Sequence, residues 1–229
     1  MLEHGADPLI KNKNGITSYE LLLESNYEMS ENLLNEAVDY FEHSGCLKNY
    51  LFSACEKADL KLLENVLKCA KSKQGILRVK NVNGQSAVHI AVIKGKVNIF
   101  DKLVENGADI NEVDGTGRNS FLLACEHGKY QIFERILKLN VVIFEKTSDG
   151  SSKLHLVASN GNVEIATFLI KKGLDVNLKN SNNQTPLTLS MKNKKSLITA
   201  LLLKYGAIEA DDTLKEKNGS FWSRFNCFG

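Results

Sequence analysis

The sequence predicts an all-α solenoid of stacked helix-turn-helix units, on three observations. The first is a period: Gly84, Gly117 and Gly150 stand 33 residues apart, and Asn183, which also tolerates left-handed backbone angles, stands 33 further on. Gly107, Asn140, Gly173 and Gly206 keep the same step in a second register, and Gly95, Gly128 and Gly161 keep it in a third that ends at Lys194. The second is text: residues 83–95 (NGQSAVHIAVIKG), 116–128 (TGRNSFLLACEHG), 149–161 (DGSSKLHLVASNG) and 182–194 (NNQTPLTLSMKNK) align without a gap. The third is an apolar stripe at helical spacing after each segment, as in Val97, Ile99, Phe100, Leu103 and Val104, then Ile132, Phe133, Ile136 and Leu137, then Val163, Ile165, Phe168 and Leu169. One helix pair cannot bury such a stripe alone, so neighbouring units must stack to share it.

The elements follow in order. His4-Gly5-Ala6-Asp7-Pro8 reads as the end of one unit, and Asn14-Gly15-Ile16-Thr17-Ser18-Tyr19-Glu20 opens the next, with Gly5 to Gly15 spaced by 10 as Gly107 to Gly117 is. Two readings of that start stay open: a piece of a longer protein, or a lost first helix pair with an unusual cap. The second helix within 23–46 runs long. Leu51-Phe52-Ser53-Ala54-Cys55-Glu56-Lys57 echoes Phe121-Leu122-Leu123-Ala124-Cys125-Glu126-His127, yet Ala54 to Ala91 is 37 rather than 33, which puts four extra residues near Cys69 to Leu77. The expected plan is a truncated and a divergent repeat over 1–46, a divergent repeat with a short insertion over 47–79, four clear repeats over 80–209, and a charged then aromatic tail over 210–229.

Serine or threonine at the front of each unit caps the first helix, and proline presets its first turn; only Thr185-Pro186 keeps both. Ala91 and Ala124 let a neighbouring helix approach, whereas Val157 and Ser190 replace them and call for adjusted packing.

Thr185-Pro186-Leu187, Val88-His89-Ile90-Ala91 and Gly107-Ala108-Asp109-Ile110-Asn111 carry a resemblance to the ankyrin repeat family. The resemblance implies about six repeats with β-turn fingers. It gives His89 and His155, 66 residues apart, a structural role in bonding backbone across a repeat and its neighbour. It also implies a concave face of fingers and first helices that binds another protein. Carried over by position, that face comprises Val82, Asn83, Gln85, Ile93 and Lys94; Thr116, Arg118, Glu126 and His127; Ser148, Asp149, Ser151, Ser159 and Asn160; and Ser181, Asn182, Gln184, Lys192 and Asn193. Lys80, Lys146 and Lys179 precede three of the fingers, a mildly basic row suited to an acidic peptide or protein surface. The context of Asn111 and Asn177 looks like that of hydroxylated asparagines in the family.

Composition bounds the rest. In 229 residues, 43% hydrophobic, lysine plus arginine exceed aspartate plus glutamate by 29 to 27, which argues against nucleic-acid binding through counterion release. No apolar run reaches the 18 or so residues of a membrane span, and the start lacks the features of a signal peptide. A cytoplasmic monomer is expected, with the nucleus, or a host cytosol for a secreted effector of an intracellular microbe, as alternatives. Five cysteines without metal spacing read as reduced thiols, and no cofactor is expected.

No nucleotide-binding or metalloprotease motif occurs. The out-of-pattern candidates for chemistry are His43 with Cys46, Cys69, His127 and Cys227; His43 and Cys46 could share a helix face, but no third group orients the histidine and no oxyanion motif lies nearby. Phe221, Trp222, Phe225 and Phe228 would share one helical face, serving as a cap on the last repeat, a partner motif or a membrane-surface anchor. The function expected is a non-catalytic protein-interaction scaffold. Its alternative is a targeting or regulatory region of a larger protein whose active domain lies outside these residues.

Overall fold

A computed structural model describes residues 10–25, 31–139, 146–147 and 149–208, with the side chains of 31–34, 42 and 43 outside that description. His4 to Pro8, Ser148, Cys227, the aromatic tail and the His43 side chain therefore lie outside the described residues. Among the described residues the structure contains thirteen helices and no strand: α1 (Ser18–Glu24), α2 (Glu31–Ser44), α3 (Leu47–Lys57), α4 (Leu60–Cys69), α5 (Lys73–Leu77), α6 (Ala87–Lys94), α7 (Val97–Glu105), α8 (Ser120–Glu126), α9 (Tyr130–Leu137), α10 (Lys153–Asn160), α11 (Val163–Lys171), α12 (Pro186–Lys192) and α13 (Ser196–Lys204). The long second helix is α2, with 14 residues against 9 in α7 and α11. The insertion forms α5, whose first turn is capped by Ser72.

The helices start where the cap residues stand. Thr17 and Glu20 form a reciprocal capping box on α1, Asp59 accepts from the Leu62 N–H on α4, and Thr185 accepts from the Thr188 N–H with Pro186 in the first turn of α12. Repeats that lack proline fill its place with buried residues: Ala87, Ser120 and Lys153. The Ser120 N–H donates to the Ile110 carbonyl at 3.2 Å, a bond that proline could not make.

The chain divides into two compact units. One holds residues 1–124 and 134–139, the other 125–133 and 140–229, so α8 and α9 contribute to both. In the first, α3 packs on α4, α6 on α7 and α3 on α6, while α4 also meets α1, α2 and α7. Its core includes Leu51, Leu63, Ile99, Phe100 and Leu103, all at most 1% exposed. Burying each such side chain contributes about 1.5–3 kcal/mol. Asn65 is the polar exception: its buried amide donates to the Leu23 carbonyl at 2.8 Å and the Ser25 carbonyl at 3.2 Å, satisfying groups that the end of α1 leaves open.

In the second unit α10 packs on α11 and α12, and α13 on α11 and α12. Phe133 meets Phe168 edge to face at 5.3 Å between ring centres. At the position of Ala91, Ser190 donates to the Leu187 carbonyl at 2.8 Å and lies 2.9 Å from the Thr199 hydroxyl, so the substituted site is hydrogen-bonded rather than apolar. The third glycine register ends at Lys194 with φ 56°, a left-handed angle strained for a side-chain-bearing residue. Lys194→Gly should therefore stabilise the protein by roughly 1 kcal/mol in chemical denaturation, with an unchanged slope.

Candidate protein-binding face

Most fingers are built by one Asn or Asp side chain at a shared register. The Asn81 Oδ1 accepts from the Asn83 N–H at 2.9 Å and the Gln85 N–H at 3.0 Å. Asn180 does the same for Asn182 and Gln184, both at 3.0 Å. Asp114 accepts from Thr116 and Arg118 backbone at 2.8 and 3.0 Å and from the Thr116 hydroxyl at 2.6 Å. Burial pushes the Asp114 carboxyl up, but the bonds from Thr116 and Arg118 outweigh it and hold it below the usual carboxylate range. In the finger between those of Asp114 and Asn180, Thr147 stands at this register, and the hydroxyls of Thr147 and Ser151 donate to Asp149 and hold its carboxyl below the usual range.

Adjacent fingers are joined through backbone. The Gly115 N–H donates to the Asn83 carbonyl at 3.1 Å, and the Ser181 N–H donates to the Asp149 carbonyl at 2.9 Å. Gly84 answers two demands at once: φ is 69°, and a Cβ there would stand 2.5 Å from the Gly115 nitrogen.

The two histidines sit behind the fingers, fully buried. The Ser86 N–H donates to the His89 Nδ1 at 3.1 Å with the Ser86 hydroxyl 2.8 Å from the same nitrogen, and His89 Nε2 lies 2.8 Å from the Glu112 carbonyl. A carbonyl only accepts and Ser86 N–H only donates, so the ring is held as the neutral tautomer with its proton on Nε2. His155 repeats this geometry with Ser152 N–H at 3.0 Å and the Gln184 carbonyl at 3.0 Å. Burial lowers the pKa of both rings below the ordinary histidine value, against the partial opposition of the carbonyl bonds. In both repeats the histidine closes the start of a first helix and ties it to the following finger, the structural role that the family resemblance implied.

The side chains expected on the binding face are mostly exposed. Val82, 102% exposed, and Asn83 and Lys94 are open in the first unit, as is Thr116, while Gln85, Ile93 and Arg118 are half-buried. In the second unit His127, Asp149, Asn160, Ser181, Asn182, Lys192 and Asn193 are exposed, and Glu126, Ser159 and Gln184 half-buried. Ser151 departs from expectation: it is 4% exposed, donates to Asp149 at 2.8 Å and accepts from the Asn180 amide at 3.2 Å. It belongs to the finger's framework, because the serine hydroxyl is short enough to turn back into the loop that carries it.

The basic row is likewise uneven. Lys80 pairs with Glu112 at 3.2 Å and donates to the Val113 carbonyl at 2.9 Å, which ties its charge to the next finger. Lys146 and Lys179 are exposed. Asn193 donates to the Ser159 hydroxyl at 2.6 Å, pairing two of the expected face residues. Asn177 is occupied with structure as well: its amide donates to the Gly206 carbonyl at 3.1 Å and accepts from the Ile208 N–H at 2.8 Å.

The out-of-pattern groups form no catalytic arrangement among the described residues. Burial pushes the thiols of Cys55 and Cys125 up to about 12 and that of Cys69 to about 11, so all three stay protonated. Cys46 lies 3.1 Å from the Ser44 hydroxyl, and burial raises its pKa too. No group of three His, Cys, Asp or Glu side chains among the described residues is placed to hold a metal ion. No described helix is long and apolar enough to cross a membrane.

Sequence reading missed two residues that matter to the stack, Asn65 and Asn162. The Asn162 amide donates to the Cys125 carbonyl at 3.0 Å, one repeat away in sequence, and occupies the space in which any Cβ at Gly128 would clash. Asn65 interrupts a segment that reads as apolar helix, which was its one available signal, whereas Asn162 stands at the start of α11 like any polar turn residue.

Helix pairs joined through turn fingers define a repeat protein whose recurring residues are its framework. The family model for ankyrin repeats, in three copies, matches residues 51–147 and again 121–213, and the chain belongs to the ankyrin repeat family. It is similar to palmitoyltransferase AKR1 of Lachancea kluyveri, 27% identical over 129 residues. That alignment covers 54% of this chain and 17% of the relative, so the chain matches about a sixth of that protein.

The histidine geometry makes stability depend on pH. The folded state lowers the pKa of His89 and His155, so the unfolded chain binds more protons once pH falls below the unfolded value of about 6.5. Their stabilisation is fully present above about pH 6.5 and declines as pH drops below it. Urea unfolding at pH 7.5 and 5.5 should show this loss, and a His89→Gln, His155→Gln variant should show a smaller one.

Proposed function

We propose that the chain is a non-catalytic protein-binding module that recognises its partner through the fingers and the ends of the first helices. The observation that carries this reading is a division of labour at fixed register. Positions that recur, such as Ser86 with His89 and Ser152 with His155, are buried and bonded. Positions that change from copy to copy while the framework stays are exposed, above all Lys94, His127 and Asn160, each 33 residues from the next; Asn193, at the same register, is exposed but bonded to Ser159. Side chains freed from any framework duty are where specificity is encoded on a repeat scaffold. Lys146 and Lys179 favour a partner surface with acidic character.

A second reading has an observation of its own. The relative palmitoyltransferase AKR1 is an enzyme by name, and the similarity touches only 17% of it. Repeats of this kind can thus be one region of a larger protein, where the face would select the substrate or partner for an activity carried elsewhere.

The test compares two quadruple variants in affinity capture, with helical circular dichroism as the folding check. One changes Lys94, His127, Asn160 and Asn193 to alanine; the other changes Glu105, Lys138, Lys171 and Lys204, which are exposed at one shared register of the second helices. Partners held by the wild type and the second variant but lost by the first place binding on the proposed face. Partners that persist in the first variant and disappear in the second assign it to the second helices instead.

A further inference from the structure

The last helix pair in this sequence breaks the surface pattern of the copies before it. Leu197, Leu201, Tyr205 and Ile208 run as a stripe along α13 and the turn that follows, at the spacing of one helix face. Leu197 is 74% exposed, Ile208 71% and Tyr205 39%, with Leu201 half-buried. Earlier copies put mostly polar groups at these registers, with Phe168, Leu139 and Val142 as the exceptions. Leu197 corresponds to Glu164, Gln131 and Asn98, all exposed, and Ile208 to Asp175 and Asp109. At the register of Leu201, Arg135 binds Asp101 at 2.9 Å and Lys102 binds Glu64 at 2.8 Å, while Phe168 packs on Phe133. At the register of Tyr205 stand Lys172 and Asn106, with Leu139 the one apolar residue.

A terminal repeat facing water needs the opposite change, from apolar to polar. An apolar stripe whose most exposed members, Leu197 and Ile208, stand where the preceding copy has Glu164 and Asp175 is the signature of a covered surface. The chain itself supplies a cover. The last described residue, Ile208, has its N–H fixed to Asn177 beside the stripe. Twelve residues, 209–220, then precede Phe221, Trp222, Phe225 and Phe228. Twelve residues span up to about 40 Å when extended, and the nine residues of α13 are about 14 Å long, so the aromatics reach every part of the stripe. Their spacing of i, i+1, i+4 and i+7 is that of an amphipathic helix laid along an apolar face.

We infer that residues 221–228 dock in cis on the face made by Leu197, Leu201, Tyr205 and Ile208, closing the apolar end of the repeats with Phe221, Trp222, Phe225 and Phe228. This is independent of what the finger face binds. It makes the stripe a seat for an aromatic amphipathic segment, occupied by the chain's own.

Trp222 is the sole tryptophan, so its fluorescence reports the contact directly. The full chain is compared with Leu197→Glu, Ile208→Asp, which restores the residue types of the preceding copy, and with Phe225→Ser, Phe228→Ser, which leaves the repeats untouched. The expected result is blue-shifted wild-type emission that does not change on dilution, moves to the red in both variants, and accompanies a lower unfolding temperature in each, with helical content retained. Water-exposed emission in the wild type that neither variant alters would overturn the assignment. So would a blue shift that vanishes on dilution together with a dimer in sedimentation, which makes a second copy the occupant. A shift seen only with vesicles of phosphatidylcholine and phosphatidylserine would overturn it in favour of a lipid surface.

Discussion

A helix pair leaves backbone groups at its ends that it cannot satisfy itself, and the rest of this structure depends on a neighbour satisfying them. His89 receives the Ser86 N–H on one ring nitrogen and gives its proton to the Glu112 carbonyl on the other. His155 does the same between Ser152 and Gln184. Asn65, Asn162 and Asn177 extend the principle with side-chain amides that reach backbone of an adjacent repeat. These bonds run alongside apolar burial but differ from it in kind. Burial is non-directional, whereas a ring nitrogen 2.8 Å from one carbonyl fixes register.

That constraint also separates framework from function. A residue engaged in stacking must recur or be replaced by something equivalent, as Ala91 is by Ser190 with its bond to Thr199. A residue outside it is free to vary, and in these repeats the free positions are the finger tips and the last turns of the first helices. The same logic accounts for the cysteines: Cys55 and Cys125 fill core positions, and burial holds their thiols protonated. Fingers stiffened by Asn81, Asp114, Asp149 and Asn180 present their exposed residues at little conformational cost.

Much of this was legible in the sequence because stacking imposes a period. The glycine registers, the caps at Thr17 and Thr185, the long α2 and the insertion that became α5 all follow from spacing and residue type. What spacing does not encode is which polar side chain turns inward. Ser151 sits at a position read as outward yet closes its own loop, and Lys80 spends its charge on Glu112. Lys153 occupies the proline position and is 4% exposed, a place that composition would assign to any residue but a lysine. Such contacts depend on the partner that folding brings near, two residues away for Ser151 and about a repeat away for Lys80, with no mark in the sequence to point to it.

The central claim is that His89 and His155 are neutral bridges between repeats rather than reactive groups. Nitrogen-15 NMR of the imidazole rings from pH 5 to 8 tests it most directly, because the shifts report tautomer and protonation of each ring. The structure predicts two rings with a proton on Nε2, an unprotonated Nδ1, and titration below the ordinary histidine range. Rings that exchange between tautomers, or that titrate at or above about 6.5, would contradict it.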